Sequence, residues 1–151
     1  ASLGLLETYK RIKEGLYVFK KLGLCDRFFV APAWIGNRYL DEVLRLLGFR
    51  AVAYRWVLRD LSLSQDIFSP ALSLSNRRWL SKLSKLSLGV MSKIFQKVSI
   101  LRLAIHLRDF DDPQKVELWQ NLIRALKHKR RFTSYGRVFS KSGFAPSFQG
   151  V

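Results

Sequence analysis

Cysteine is almost absent from this sequence, with Cys25 the only one. A single thiol excludes an intrachain disulfide, a redox pair and a thiolate zinc site. It also makes a reducing compartment, the cytoplasm, the simpler expectation. Histidine is nearly as scarce. A metal centre needs several His or carboxylate ligands to converge, and two histidines, one of them inside a basic run, do not supply the usual set. Acidic residues are few, 11 Asp and Glu against 27 Lys and Arg. Long apolar runs are missing too. Phe28 to Trp34 and Leu101 to Ile105 fall far short of the roughly 20 residues that a bilayer-spanning helix needs. No Gly-rich phosphate loop is present, and two histidines do not define a Ser-His-Asp set without knowledge of geometry.

What is present is a chain of 151 residues, 48% hydrophobic, with a formal net charge of +16. That length supports one domain-sized core. The charge favours partners of negative sign, and nucleic acid, an anionic membrane surface and an acidic glycolipid all fit, because net charge reports attraction without reporting chemistry. The first residues already read as an amphipathic helix rather than a cleavable leader. The chain is therefore expected to be the C-terminal part of something longer.

Along the chain, Leu5, Tyr9, Ile12, Leu16 and Phe19 recur at helical steps and predict a helix from Leu5 to Leu22 closed by Gly23. Phe28 to Ala31 reads as a strand buried on both faces and stopped by Pro32. A helix over Arg38 to Leu47 is closed by Gly48, and Phe49 to Val57 is β-prone. Ser69 to Ser75 suits a short strand, Arg77 to Val98 carries a long helical period, and Ile100 to His106 reads as another buried strand. Asp111, Asp112 and Pro113 supply helix-start chemistry for a helix to about Lys129. A short element is expected near Tyr135 to Phe139, and loop or disorder from 140 to 151. Strands separated by helices imply parallel βαβ units, hence an α/β fold that is either an open doubly wound sheet or part of a β/α barrel. No compositional boundary divides the chain.

In such folds ligands gather where strands end. One strand delivers Pro32, Ala33 and Trp34; another delivers His106, followed by Leu107, Arg108 and Asp109. His106 suits general acid-base work at neutral pH, although a strand-end histidine bonded to a backbone carbonyl would look the same in sequence. Trp34 suits stacking on a sugar face or a plain rim position. Asp109 could orient the imidazole, and capping the next helix is the competing role. His128, between Lys127 and Lys129, reads as a solvated helix end. The period from Arg77 to Val98 sets an apolar face against Arg78, Lys82, Lys85, Lys93 and Lys97. That pattern fits a helix lying on an anionic membrane, or one covering a barrel with a solvated basic face.

Four stretches in order carry a family resemblance: Glu14-Gly15-Leu16-Tyr17-Val18-Phe19, Phe29-Val30-Ala31-Pro32-Ala33-Trp34, Ser69-Pro70-Ala71-Leu72, and Leu101-Arg102-Leu103-Ala104-Ile105-His106. From Leu5 to Phe139 the chain resembles the second half of predicted deacetylases related to the polysaccharide deacetylase (NodB-homology) superfamily. The resemblance implies a partial, distorted β/α barrel of alternating parallel strands and helices over residues 1–139. It further implies that Pro32, Ala33 and Trp34 line the substrate groove, that Leu103 lines an acetyl pocket, and that His106 protonates the departing amine, with Asp109 beside it. The implied substrate is an N-acetylated carbohydrate or glycolipid. The implied cofactor is a divalent metal, zinc or similar, whose ligands come from early motifs not present in this chain, so the isolated chain is expected to be inactive. Two positions depart from the family pattern. Val30 stands where many members have arginine, and Leu107 where close relatives have proline. A peripheral contact with an anionic membrane is compatible with this reading, and nucleic acid is the less favoured partner.

Overall fold

The computed structural model describes residues 3–24, 27–74, 90 and 94–139, which divide into two compact units. The first runs to Phe68 and takes in the segment from Tyr135; the second runs from Ser69 to Ser134.

The first unit opens with helix α1, Leu5–Lys21. Its end is set by Gly23 at φ 69°, a conformation glycine adopts without steric cost. There the Gly23 N–H donates to the Lys20 carbonyl (3.1 Å) and the Leu24 N–H to that of Phe19 (2.9 Å), the paired bonds of a Schellman cap. Helix α2, Leu40–Leu46, ends the same way. Gly48, at φ 78°, donates to Arg45 (3.0 Å) and Phe49 to Leu44 (2.9 Å). Thr8, buried on α1, ties the two helices together: its hydroxyl donates to the Gly4 carbonyl (2.9 Å) and accepts from the Asn37 amide (2.8 Å).

Between and after these helices lie β1 (Phe28–Val30), β2 (Ala51–Ala53), β3 (Val57–Asp60) and β4 (Gln65–Phe68). They form one sheet in the order β1-β2-β3-β4. β1 and β2 are parallel, with Phe29 opposite Val52, whereas β2-β3 and β3-β4 are antiparallel. The core gathers Ala31, Leu40, Leu44, Val52 and Leu61, with Ile12, Phe29, Phe49 and Tyr54 packed against them. Helix α4, Tyr135–Val138, returns to this unit, where Tyr135 and Phe139 stack on Phe28 at 6.0 and 5.6 Å.

The second unit holds a two-stranded parallel sheet, β5 (Ala71–Ser73) with β6 (Arg102–Ala104), and helix α3, Pro113–Lys127. As the sequence suggests, α3 starts at an aspartate followed by proline: the Asp112 carboxylate accepts from the backbone N–H of Gln114 (3.0 Å) and Lys115 (3.4 Å). Leu72, Leu74 and Trp119 form its core, flanked by Phe95, Leu101, Leu103, Leu118 and Leu122.

The expected partial β/α barrel of parallel strands is not what forms. A mixed four-stranded sheet and a separate two-stranded parallel sheet are present, with no closed barrel among the described residues. The physical reason is connection length. A parallel neighbour needs a crossover of a dozen or more residues, but only Tyr54, Arg55 and Trp56 separate β2 from β3, and Leu61 to Ser64 separate β3 from β4, so both strands must reverse. The stretch Phe49 to Val57, read as one β-prone run, is thus split by a tight turn in which the Tyr54 N–H donates to the Val57 carbonyl (2.8 Å). The strand at Phe28 is not buried on both faces either: it is an edge strand, with Phe28 and Phe29 half-buried and Val30 exposed. Most of the expected Arg77 to Val98 helix lies outside the described residues, and its end, Phe95–Lys97, is a 3-10 turn. The tail 140–151 is also outside them. No helix among the described residues is long and apolar enough to cross a membrane.

The β3-β4 turn is held by Asp60, whose carboxylate is almost wholly buried. Oδ1 accepts from the Ser62 N–H (2.8 Å), the Ser62 hydroxyl (2.6 Å) and the Leu63 N–H (3.0 Å), and Oδ2 from Arg50 (3.1 Å). Burial alone would raise the Asp60 carboxyl. The Ser62 and Leu63 donors and Arg50 outweigh it and leave the carboxyl below its ordinary range. Asp66 is held low chiefly by its hydrogen bonds from Arg59. Both folded-state values lie below the unfolded value of about 3.9, so their contribution is complete above about pH 4 and lost as pH falls through the lower, folded values. We expect hydrogen-exchange protection of the Ser62 and Leu63 amides to hold from pH 7 to about 4 and to be lost in more acid solution. Asp60→Ala should remove about 2–4 kcal/mol of local stability at neutral pH; protection unchanged in the variant would contradict the account.

Candidate functional site

In the second unit, the chemistry-bearing segment follows β6. Arg102, the first residue of that strand, is buried. Its guanidinium donates to the Ser69 carbonyl through Nε (2.9 Å) and Nη2, and its own N–H donates to the Pro70 carbonyl (3.0 Å). The start of β6 is thereby fastened to the residues just before β5, and the register Leu72 opposite Leu103 follows.

Three residues later the strand delivers His106, exposed, as the residue before a 3-10 turn, Leu107–Asp111. The turn is closed from both sides. The Asp109 N–H donates to the His106 carbonyl (2.8 Å), and the His106 N–H donates to Asp109 Oδ2 (3.1 Å). Asp109 is 1% exposed and accepts two further bonds, from Trp119 Nε1 to Oδ2 (3.1 Å) and from Lys115 Nζ to Oδ1 (3.2 Å). Lys115 is itself buried, at 4%. Asp109 therefore grips the backbone of the His106 turn, and its bonds fix where the imidazole leaves the chain. Asp109 closes the 3-10 turn through the His106 backbone N–H, whereas the cap of the next helix is supplied by Asp112.

Leu103 is half-buried and packs against the Leu72, Leu74 and Trp119 cluster. His106, Asp109 and Leu103 thus belong to one local assembly of the second unit. Lys115 and Trp119 complete it, and sequence reading did not pick them out. Their signal, spacings of six and ten residues from Asp109, follows no regular period because a turn and a helix start intervene. His128 is exposed at the end of α3, in keeping with a solvated helix end. Arg130 beside it is not part of a solvated run. It donates to the Phe95 (3.1 Å) and Val98 (2.6 Å) carbonyls, and burial lowers its pKa.

Pro32, Ala33 and Trp34 lie in the first unit, directly after β1, as a single 3-10 turn. Pro32 and Ala33 are exposed and Trp34 half-buried. Ala33 and Trp34 both have positive φ, 51° and 63°. Two successive non-glycine residues in the left-handed region store strain on the order of 1–3 kcal/mol each, held here by the Trp34 N–H to Ala31 (2.8 Å) and the Ile35 N–H to Pro32 (3.0 Å). Such strain gathers at places where a side chain is presented for a purpose.

No family model, curated protein or solved structure matches the chain. The reading of the site consequently stands on its own geometry. Among the described residues no three His, Cys, Asp or Glu side chains gather closely enough to hold a metal ion, so the divalent metal that the resemblance implies does not fit the side chains described.

Removing one partner of a buried ion pair leaves the other charge uncompensated, at a cost of about 3–5 kcal/mol. Lys115→Met should destabilise the second unit by that order in urea unfolding followed by the indole N–H NMR resonance of Trp119. It should also shift the backbone NMR resonances of His106 to Asp109. An unchanged midpoint would mean that Lys115 is not neutralising Asp109.

Proposed function

We propose that this chain contributes the proton donor of a hydrolase that removes N-acetyl groups from a carbohydrate or glycolipid. The observation that carries the reading is His106: an exposed imidazole at the C-terminal end of a parallel strand, on a turn that the buried Asp109, Lys115 and Trp119 hold in place. A general acid has to meet the leaving amine at a fixed position. An imidazole whose backbone N–H is anchored on Asp109 leaves the chain at a fixed position, as that requirement demands. No step through a metal is assigned to this chain, because its described residues do not assemble ligands for one.

The test is acetate release from N-acetylated oligosaccharides by the complete gene product, with divalent metal supplied. His106→Ala should lower kcat by roughly 10²- to 10⁴-fold and leave the fold intact by circular dichroism. Turnover equal to that of the parent would remove His106 from the mechanism. Absence of acetate release under all metals tried would remove the deacetylase reading.

A second reading, a basic module for an anionic membrane surface, is favoured by the last turn of α1. Tyr17, Val18, Phe19, Leu22 and Leu24 are all more than half exposed, alongside Lys20 and Lys21. Apolar side chains flanked by cations suit the headgroup boundary of an anionic bilayer. Under this reading the protein co-sediments with phosphatidylglycerol vesicles at low salt, and Phe19→Asp with Leu22→Asp abolishes the effect. Equal recovery with neutral vesicles, or no binding at low salt, would contradict it.

A further inference from the structure

The first unit contains an open cavity of about 420 Å³, within the range of about 300–1,000 Å³ usual for ligand sites. Its place in the fold is informative. β1 and β2 are parallel, and the cavity is lined by Gly36, Asn37 and Arg38, which follow the turn after β1, and by Tyr54, which follows β2 directly. It lies at the C-terminal edge of the parallel pair, where α/β sheets bind ligands.

Its polar groups are set before any ligand arrives. Asp41, in the first turn of α2, accepts from the Tyr54 hydroxyl at Oδ1 (2.6 Å) and from Arg59 Nη1 at Oδ2 (2.5 Å). Arg59 is forked onto Asp66 by two parallel bonds of 2.6 and 2.7 Å. The Tyr54 pKa is pushed up, first by burial and then by Asp41, so the phenol stays a donor at every physiological pH. Gly36 makes the tight floor: a Cβ there would stand 2.7 Å from Leu40 and 3.0 Å from the Tyr54 ring. Arg38 lies over the Tyr39 ring at 4.6 Å and donates through Nη2 to the Tyr39 hydroxyl (2.5 Å); it makes no ion pair among the described residues, faces solvent, and keeps its other N–H groups for a ligand.

The charge balance selects the ligand class. The chain as a whole is strongly basic, but here Arg38 and Arg59 are matched by Asp41 and Asp66. An anion gains no net attraction, and neither does a cation. What the site offers is hydroxyl chemistry. Each oxygen of Asp41 and the phenol oxygen of Tyr54 keep acceptor capacity, Arg38 supplies planar donors, and Val57 with the Tyr54 ring gives an apolar wall for C–H groups.

We propose that this cavity is a subsite for a neutral carbohydrate ring, gripped by Arg38 and Asp41 against Tyr54. The choice of an N-acetylated sugar as its ligand rests on the deacetylase reading; the recognition of hydroxyls does not. The test is a ¹H-¹⁵N NMR titration of the 151-residue chain with an N-acetylglucosamine tetramer and, in parallel, with maltotetraose. Shifts at Asn37, Arg38, Tyr54 and Arg59, with affinity falling roughly tenfold in Arg38→Ala, are the expected result. Arg38 is exposed and its removal disturbs no core contact. The same shifts with maltotetraose alone would support the subsite while counting against the deacetylase reading. Shifts confined to Trp34 and His106 would overturn the subsite and leave that reading standing. No shift with either sugar at millimolar concentration would overturn the subsite.

Discussion

Asp109 is placed where water does not reach it, so its charge has to be met by the protein, and most of what is ordered around the second strand pair follows from that requirement. A buried carboxylate left unpaired would cost more than a small unit can supply. It is met by a buried lysine, an indole N–H and the backbone N–H of His106. One donor comes from just after β6 and two from successive turns of α3, so satisfying the charge fixes the turn after β6, the start of α3 and the position of Trp119 in the core at once. Asp60 imposes the same constraint on the first unit. Its four accepted bonds come from β2's leading arginine and from the turn it opens, and they hold a hairpin whose own residues, Leu61 to Ser64, have little preference for reversing direction.

That hairpin explains where sequence reading stopped. Helix ends were legible because glycine and aspartate act through chemistry local to a few residues: Gly23, Gly48 and the Asp112-Pro113 pair sit where the pattern places them. Strand positions were legible in outline from apolar runs. Strand direction was not. A turn at Leu61-Ser62-Leu63-Ser64 lacks the Asn-Gly or Asp-Gly signal of a tight hairpin, puts positive φ on Ser64, and depends on Asp60, which by sequence alone looks like any surface acid. Without this turn and the one at Tyr54 to Trp56, which splits Phe49 to Val57, the β-prone residues read as strands of one parallel series, and a barrel becomes the natural extrapolation. Arg102 was hidden for the opposite reason. It stands inside an apolar run that predicts a buried strand from Ile100 to His106, yet the strand is only Arg102–Ala104, Leu103 and Ala104 are half-buried, and the buried residue is a cation serving the Ser69 carbonyl.

The candidate residues divide along the same line. Pro32 to Trp34 and His106 were legible as strand exits, since position after a β run is a property of sequence order. The residues that hold them were not, since Lys115, Trp119 and the Ala31 carbonyl are found only through the fold. This division has a physical basis. Exposed functional groups are free to follow their own chemistry, whereas their supports are chosen by what an irregular turn leaves unsatisfied.

The charge distribution carries the argument furthest. A net charge of +16 would suggest that any site on this chain attracts anions. The acidic residues are too few to neutralise the surface, yet they are not spread evenly. Asp41, Asp60, Asp66 and Asp109 each face an arginine or lysine within hydrogen-bond distance, so the scarce carboxylates are spent at the turns and pockets, and the excess cations are left on surfaces such as the end of α1. Long-range attraction and local recognition are thereby separated. The surplus charge acts over roughly a Debye length of about 10 Å and brings an anionic surface near without selecting a ligand. In the proposed subsite, the balanced cluster at Asp41 and Arg59 is the one placed to read hydroxyl geometry at contact. Under the proposed function a glycolipid presents both features, a headgroup-bearing surface and a neutral sugar, and that proposal is the one this separation of charge favours.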